Sequence, residues 1–182
     1  LIHPIGHMGA KTIDKTLPNV VKAVREILKH HKGEKGIIHC HTYRIANYLK
    51  KNLRFKRLLF HDSSDRDAVL EKHVASKIDS VLVSPSMSEG VDLKQDLSRF
   101  QIILKIPYPY LGDPLIRKRM NKWPGWYPLQ TAKTIVQSVG RSIRNSDDYA
   151  VTYILDSDFE RFWKKNSKVF PADFRACIVE SK

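Results

Sequence analysis

The 182-residue sequence contains only two cysteines, Cys40 and Cys177, which lie far apart. Two cysteines are too few for a disulfide framework or a four-cysteine zinc site, and they predict a reducing, cytoplasmic setting. No apolar run approaches the roughly 18 residues that a membrane-spanning helix needs, and no signal-peptide pattern opens the sequence. These absences argue against a secreted, disulfide-rich or membrane-embedded protein.

Acidic residues are also scarce. The 19 Asp and Glu residues stand against 32 Lys and Arg, which gives a formal net charge of +13. Such a balance favours a polyanionic partner, either nucleic acid or an anionic membrane surface. The length fits one domain with a sizeable core.

A complete phosphate-binding loop is missing. Residues 6–12 resemble one, but the P-loop pattern requires a glycine directly before the lysine and a strand before the loop. Here Ala10 precedes Lys11, and only five residues precede Gly6. We therefore predict that residues 1–16 form an irregular N-terminal linker and that the domain occupies residues 17–182.

Short apolar segments alternate with helical patterns along the rest of the sequence. Strands are predicted at 36–41, 57–60, 80–86, 100–107 and 149–155. Helices are predicted from Pro18 to about His31, from Thr42 to Leu53, from a capping box at Ser64 to Ser76, from Pro114 onward, through 137–144, and over 159–165. This alternation predicts an α/β fold whose mainly parallel sheet has helices on both faces.

The stretch 137–144, Gln-Ser-Val-Gly-Arg-Ser-Ile-Arg, carries two arginines at helical spacing. Helical periodicity places Gln137, Gly140, Arg141 and Arg144 on one face, opposite the aliphatic residues. A guanidinium is always charged and matches phosphate oxygens bidentately. Gly140 within a helix costs about 1 kcal/mol relative to alanine, which indicates a close approach to the backbone. The alternative is a solvated basic face with an incidental glycine.

A second informative stretch follows the strand at 80–86. Gly90 lets backbone amides come close to a ligand, and Asp92 can orient a water, a ribose or an arginine. An ordinary turn between a strand and a loop is the alternative.

A third stretch combines basic and aromatic residues after the proline-rich segment 107–110. Asp113 and Pro114 are typical of a helix start. The basic residues that follow are Arg117, Lys118, Arg119 and Lys122, and the aromatic ones are Trp123, Trp126 and Tyr127. Such a set can stack bases while it tracks phosphates, or it can pack a loop against the sheet.

In this order, these stretches resemble the second RecA-like domain of superfamily 2 helicases. Residues 36–43 are similar to motif IV, 84–93 to motif V and 137–144 to motif VI. Residues 106–114, Ile-Pro-Tyr-Pro-Tyr-Leu-Gly-Asp-Pro, are similar to the XPD/DinG branch of DNA helicases, which moves 5′ to 3′ and implies a role in DNA repair. Gln137 supports this branch, since DEAD-box RNA helicases usually have histidine at that position.

The resemblance implies a three-layer RecA-like fold and a set of site residues. Arg141 and Arg144 would act on ATP as arginine fingers, with Gln137 coupling the cleft to motif V, and Gly90, Asp92 and Gly140 would contribute to the ATP cleft. The residues implied to hold nucleic acid are Thr42, Tyr43, Ser86, Ser88, Tyr108 and Arg117. ATP and Mg²⁺ would be bound mainly by a first RecA-like domain.

The sequence departs from the family in what it lacks. It has no P-loop, no D-E-x-H box and no four-cysteine iron–sulfur framework, all of which the family carries in its first RecA-like domain. We therefore expect this chain alone not to hydrolyse ATP, and any iron–sulfur cluster to lie upstream. The expected partners are single-stranded DNA or a duplex junction and an N-terminal RecA-like domain, with no membrane. The alternatives are an RNA helicase or other superfamily 2 translocase, and a non-enzymatic nucleic-acid-binding module.

Overall fold

Six parallel strands form one sheet at the centre of the molecule. The computed structural model describes residues 1–85, 93, 95–140, 142 and 148–179. The strands are Ile2–Gly6 (β1), Gly36–His39 (β2), Leu58–Phe60 (β3), Val81–Ser84 (β4), Phe100–Ile103 (β5) and Val151–Asp156 (β6). Their order in the sheet is β1-β6-β5-β2-β4-β3, and every pairing is parallel.

Helices cover both faces of this sheet. They are Ile13–His30 (α1), Tyr43–Asn52 (α2), Arg66–Ala75 (α3), Pro114–Lys122 (α4), Trp126–Val139 (α5), Asp158–Asn166 (α6) and Ala172–Ala176 (α7). The largest core cluster joins α1 and α2 to one face, which we call the α1 face. Two smaller clusters join α5, α6 and the side chains of α3 to the other face, which we call the α5 face. The predicted three-layer α/β architecture is confirmed.

Strand register determines which side chains reach each face. Gly36 lies opposite Phe100, and Ile37 lies opposite Gln101. Because side chains alternate along a strand, Phe100 points to the α1 face and Gln101 to the α5 face. A Cβ atom at Gly36 would lie 2.5 Å from a Phe100 ring carbon, so glycine is needed there for the ring to cross β2.

The first strand was missed by the sequence prediction. Residues 1–16 were expected to be irregular, but β1 pairs with β6 at the edge of the sheet, and the Ile2 amide donates to the Val179 carbonyl at 2.9 Å. Pro4 and the short length are compatible with an edge strand. The pairing partners are distant in sequence, so no local pattern indicates them.

Several element boundaries also differ from the prediction. Helix α1 begins at Ile13, so Pro18 lies inside it and not in its first turn. Helix α3 follows Asp65, while the Ser64 hydroxyl bonds to Asp62 and does not cap the helix. Helix α5 ends at Val139, so Gly140 caps its end and does not lie mid-helix. The five predicted strands are present, but most are shorter at one or both ends.

No helix in the described part of the chain combines the length and the apolar character that crossing a membrane requires.

Candidate functional site

The carboxyl edge of the sheet carries two of the predicted nucleic-acid residues. Thr42 is the N-cap of α2, and its hydroxyl accepts a hydrogen bond from the Ile45 amide at 3.3 Å. Tyr43 begins the helix with 42% of its surface exposed. His41 precedes them with a φ of 62°, a left-handed conformation that a non-glycine residue adopts uncommonly. This turn directs the start of α2 and its exposed tyrosine to the carboxyl edge.

Asp156 holds the neighbouring loops of this edge together. It lies at the end of β6 and is 3% exposed. One carboxylate oxygen accepts from the Met8 and Asp158 amides, and the other accepts from the Ile106 amide, each at 3.1 Å. The sequence predicts a strand at 149–155 but assigns no role to Asp156, which follows it. Its carboxylate fixes the segments that follow β1 and β5.

Tyr108, another predicted nucleic-acid residue, is anchored within this edge. Its hydroxyl donates to Asp158 at 2.7 Å, and its ring stacks on Tyr127 with centroids 6.1 Å apart. Burial and the Asp158 carboxylate raise the pKa of Tyr108. The Tyr127 hydroxyl in turn donates to the Pro109 carbonyl at 3.0 Å. These contacts fix the proline-rich segment against α5 and leave the Tyr108 ring half-buried.

Helix α4 presents the basic and aromatic surface that the sequence indicates. Its N-cap is Asp113, which accepts from the Leu115 amide at 2.7 Å, so the predicted helix start is confirmed. Arg117 is exposed on this helix. The Arg119 guanidinium lies 5.7 Å from the centroid of Trp126, and the Lys122 ammonium lies 4.9 Å from that of Trp123. Trp123 is 51% exposed, so its ring remains accessible for stacking.

The end of α5 carries the residues predicted to act on ATP, as far as they are described. Gln137 and Gly140 are exposed, while Ala132 and Ile135 are buried against the sheet. Gln137 therefore lies on the exposed side of α5 and Ala132 and Ile135 on its buried side, while Gly140 lies just beyond the helix end. The remaining predicted site residues, Arg141, Arg144, Gly90, Asp92, Ser86 and Ser88, lie outside the described residues.

Described residues in and beside the stretches 84–93 and 137–144 contact each other. The Ser142 hydroxyl donates to the Ser98 hydroxyl at 2.7 Å. Asp148 accepts from the Gln95 amide at 3.1 Å and from the Arg99 guanidinium at 2.8 Å. The Gln95 hydrogen bond and the Arg99 charge lower the pKa of the Asp148 carboxyl. Residues 95–99 are thereby joined to Ser142 and Asp148 at the amino end of β5.

A buried polar row on the α5 face was missed by sequence reasoning. Gln101 contacts His39 on one side and both Val139 and Thr152 on the other. On β4, the Ser84 hydroxyl contacts the His61 ring at 3.0 Å. The one signal in the sequence is a glutamine inside the apolar run of residues 100–106.

Comparison with known families assigns the chain. A model of the helicase C-terminal domain matches residues 23–177. The chain belongs to this family. The resemblance to superfamily 2 helicases of the XPD/DinG type is thereby confirmed.

The chain is also similar to a much longer protein. This chain is 27% identical over 150 residues to the ATP-dependent DNA helicase CHL1 of Saccharomyces cerevisiae. The match covers 65% of this chain and 17% of that protein. The chain thus spans about a sixth of that relative's length.

Solved structures show the same fold. An apo XPD structure matches with a TM-score of 0.73 at 19% identity, covering 92% of this chain and 37% of that one. S. tokodaii Xpd4 matches with a TM-score of 0.68 at 18% identity, covering 94% and 36%.

Among the described residues, no three histidine, cysteine or acidic side chains form a group that could hold a metal ion.

Proposed function

We propose that this helicase C-terminal domain is the second motor domain of an ATP-dependent DNA helicase. The observation that carries the proposal is that residues 95–99 contact Ser142 and Asp148. Residues 95–99 follow the motif V-like stretch, whereas Ser142 belongs to the motif VI-like stretch and Asp148 follows it. In the proposed motor, both stretches act on one nucleotide, which requires them to lie near each other.

The nucleotide would be ATP with Mg²⁺, held mainly by a first RecA-like domain. Arginine guanidinium groups suit the charge that develops on a transferred phosphoryl group. Arg141 and Arg144 are the residues of this chain that we assign to that task, with Gly90, Asp92 and Gly140 near the same nucleotide. Gln137 is exposed beside the end of α5, where it can reach a second domain and couple its approach to motif V.

The nucleic acid would run along the carboxyl edge and α4. Thr42 and Tyr43 lie at the start of α2, where backbone amides favour a phosphate. Arg117 and Trp123 add a charge and an exposed aromatic ring. Basic groups that track phosphates beside rings that stack bases are typical of single-strand binding. Ser86, Ser88 and Tyr108 complete the proposed set, with Tyr108 contributing the half-buried face of its ring.

The remaining parts of the proposal come from the family resemblance alone. These are 5′ to 3′ movement, a junction between duplex and single strand as substrate, action in DNA repair in the cytoplasm, and an iron–sulfur cluster upstream of this chain.

The test is Arg141→Ala in the full-length protein. Loss of an arginine finger should reduce the DNA-stimulated kcat by about 10³-fold or more, while the Kd for single-stranded DNA should change by no more than about threefold, since phosphate contacts elsewhere are retained. Arg54→Ala is the matched control, because Arg54 is exposed after α2, and it should retain parental hydrolysis.

Retained DNA-stimulated hydrolysis in Arg141→Ala would contradict the finger assignment. Equal stimulation by RNA and DNA would instead favour another superfamily 2 translocase. Salt-sensitive DNA binding without any ATP hydrolysis by the full-length protein would favour a non-enzymatic binding module.

A further inference from the structure

Gln101 is the polar side chain of the central strand β5. Its exposed fraction is 0%, and its neighbours in the strand, Phe100 and Ile102, are also fully buried. A buried amide is costly unless its polar atoms are hydrogen-bonded. Its side chain contacts His39, Val139 and Thr152 on the α5 face, so the position of Gln101 in the sheet is tied to those partners.

The partners fix the orientation of the amide. The Nε2 atom of Gln101 donates to the Val139 carbonyl at 2.9 Å, and it lies 3.5 Å from the Thr152 hydroxyl. Because a carbonyl can only accept, the amide nitrogen must face Val139. The amide oxygen then faces His39 at 3.1 Å, so the His39 Nε2 atom must carry the proton and donate.

This side chain connects two functional segments. Val139 is the last residue of α5, and the final carbonyls of a helix have no partner within it. Gln101 donates to this carbonyl directly before Gly140, and the Ser142 amide also donates to it, at 3.4 Å. His39 ends β2 three positions before Thr42, so the contacts run from the carboxyl edge to the end of α5.

We propose that Gln101 is a positioning residue that holds the end of α5, and with it the arginine-bearing stretch, in register with the nucleic-acid edge. The proposal rests on the proposed function, since it assigns Gln101 a task in DNA-stimulated ATP hydrolysis. Gln101 acts through the Val139 carbonyl and the His39 ring and touches neither nucleotide nor DNA.

The decisive variant is Gln101→Glu in the full-length protein. The introduced group matches the amide in shape but donates only when protonated, and burial raises the pKa of such a carboxyl. The groups that face it are the His39 ring from β2, the Val139 carbonyl from α5 and the Thr152 hydroxyl from β6. His61 lies farther along the sheet, where it follows β3 and contacts Ser84 of β4. When the introduced carboxyl is ionised, one of its oxygens faces the Val139 carbonyl oxygen with no proton between them.

The readout is the DNA-stimulated kcat of this variant divided by that of the parent. Misplacement of a reacting group costs rate steeply, so we expect this ratio to fall about tenfold from pH 6 to pH 9, while the Kd for single-stranded DNA stays within about twofold of the parental value. Gln101→Leu should lose a similar factor at every pH.

Two controls separate positioning from simple destabilisation. Ile38→Val removes a methylene from the α1 face, beside His39 in the sequence. It should lower the thermal midpoint, while its kcat divided by that of the parent should be the same at every pH. Thr152→Val removes the 3.5 Å partner and should behave like the parent. Every protein is assayed well below its unfolding transition.

The outcomes separate this proposal from the proposed function. A ratio for Gln101→Glu that stays flat with pH, or parental activity in Gln101→Leu, overturns the positioning role even when Arg141→Ala is inactive. Retained DNA stimulation in Arg141→Ala overturns the proposed function itself, whatever Gln101 does.

Discussion

The two faces of the sheet are packed in different ways. On the α1 face, the inward positions of β2, β4 and β5 are Gly36, Ile38, Val81, Val83, Phe100 and Ile102. The corresponding positions on the α5 face alternate between aliphatic and polar residues: Ile37, His39, Leu82, Ser84, Gln101 and Ile103. Ser84 and Gln101 are as deeply buried as the aliphatic residues, and His39 is 9% exposed.

The difference assigns separate tasks to the two faces. Apolar burial contributes about 25 cal/mol per Å² without preferring one geometry strongly, so the α1 face contributes mainly stability. Hydrogen bonds contribute less net free energy but have strict geometry. The α5 face therefore fixes the ends of α5 and of the segment that leads into β5, which are the parts that the proposed motor uses.

The largest effect on stability should come from the α1 face. Phe100 is fully buried, and its ring stacks on His31 with centroids 4.4 Å apart. Phe100→Ala should lower the free energy of unfolding by about 3–5 kcal/mol because it leaves a cavity. The measurement is denaturant unfolding of this chain, compared with Gln101→Leu, for which we expect a cost of about 1–3 kcal/mol from unpaired polar groups. An equal cost for both variants would remove the distinction between the faces.

A smaller effect should follow from Asp156 at the carboxyl edge. Asp156→Ala leaves the amides of Met8, Ile106 and Asp158 without their acceptor, and we expect a loss of roughly 2–3 kcal/mol. Unfolding by denaturant measures this loss. The control is Asp173→Asn on the exposed side of α7, which should change the unfolding free energy by less than about 0.5 kcal/mol. A similar, small change in both variants would show that the loops do not depend on Asp156.

The alternation of strands and helices predicted the architecture because it depends on local pattern. Asp113 and Pro114 marked the start of α4 correctly, since a cap and a first-turn proline act within one turn. Strand β1 was missed because its partners, β6 and Val179, are distant in the sequence. Gly140 was placed inside a helix because periodicity alone does not show that the Val139 carbonyl accepts from the Gln101 side chain and from the Ser142 amide, three residues on, where the helix ends.

The candidate site divides in the same way. Thr42 and Tyr43, which the sequence places directly after the strand predicted at 36–41, lie at the carboxyl edge, at the start of α2. The assignment of Arg141, Arg144, Gly90 and Asp92 came from family resemblance and stays a prediction. The buried partners Gln101, His39 and Asp156 were missed, because a polar residue inside an apolar run does not reveal which distant group it contacts.

The smallest expected effect is a change in the unfolding free energy with pH that arises from a histidine on the α5 face. His73 on α3 is fully buried; one ring nitrogen contacts the Leu97 carbonyl at 2.8 Å, and the other contacts the Ser80 hydroxyl at 2.9 Å. Burial lowers the pKa of His73, and the Lys35 charge adds to this against the opposing Leu97 bond. The unfolded chain therefore binds a proton near pH 6.5 that the folded chain binds only at lower pH.

It follows that this histidine adds a loss of stability as pH falls below about 6.5, with a slope of at most about 1.4 kcal/mol per pH unit, and no dependence well above that pH. His73→Gln cannot titrate, yet its amide can still donate to Leu97. The difference in unfolding free energy between parent and variant should thus change between about pH 5 and pH 6.5 and stay constant above about pH 7.5. Ile38→Val on the α1 face should differ from the parent by the same amount at every pH. If the difference between His73→Gln and the parent were also the same at every pH, titration of His73 would not affect stability. The contact between His73 and Leu97 would then stabilise the α5 face through packing alone.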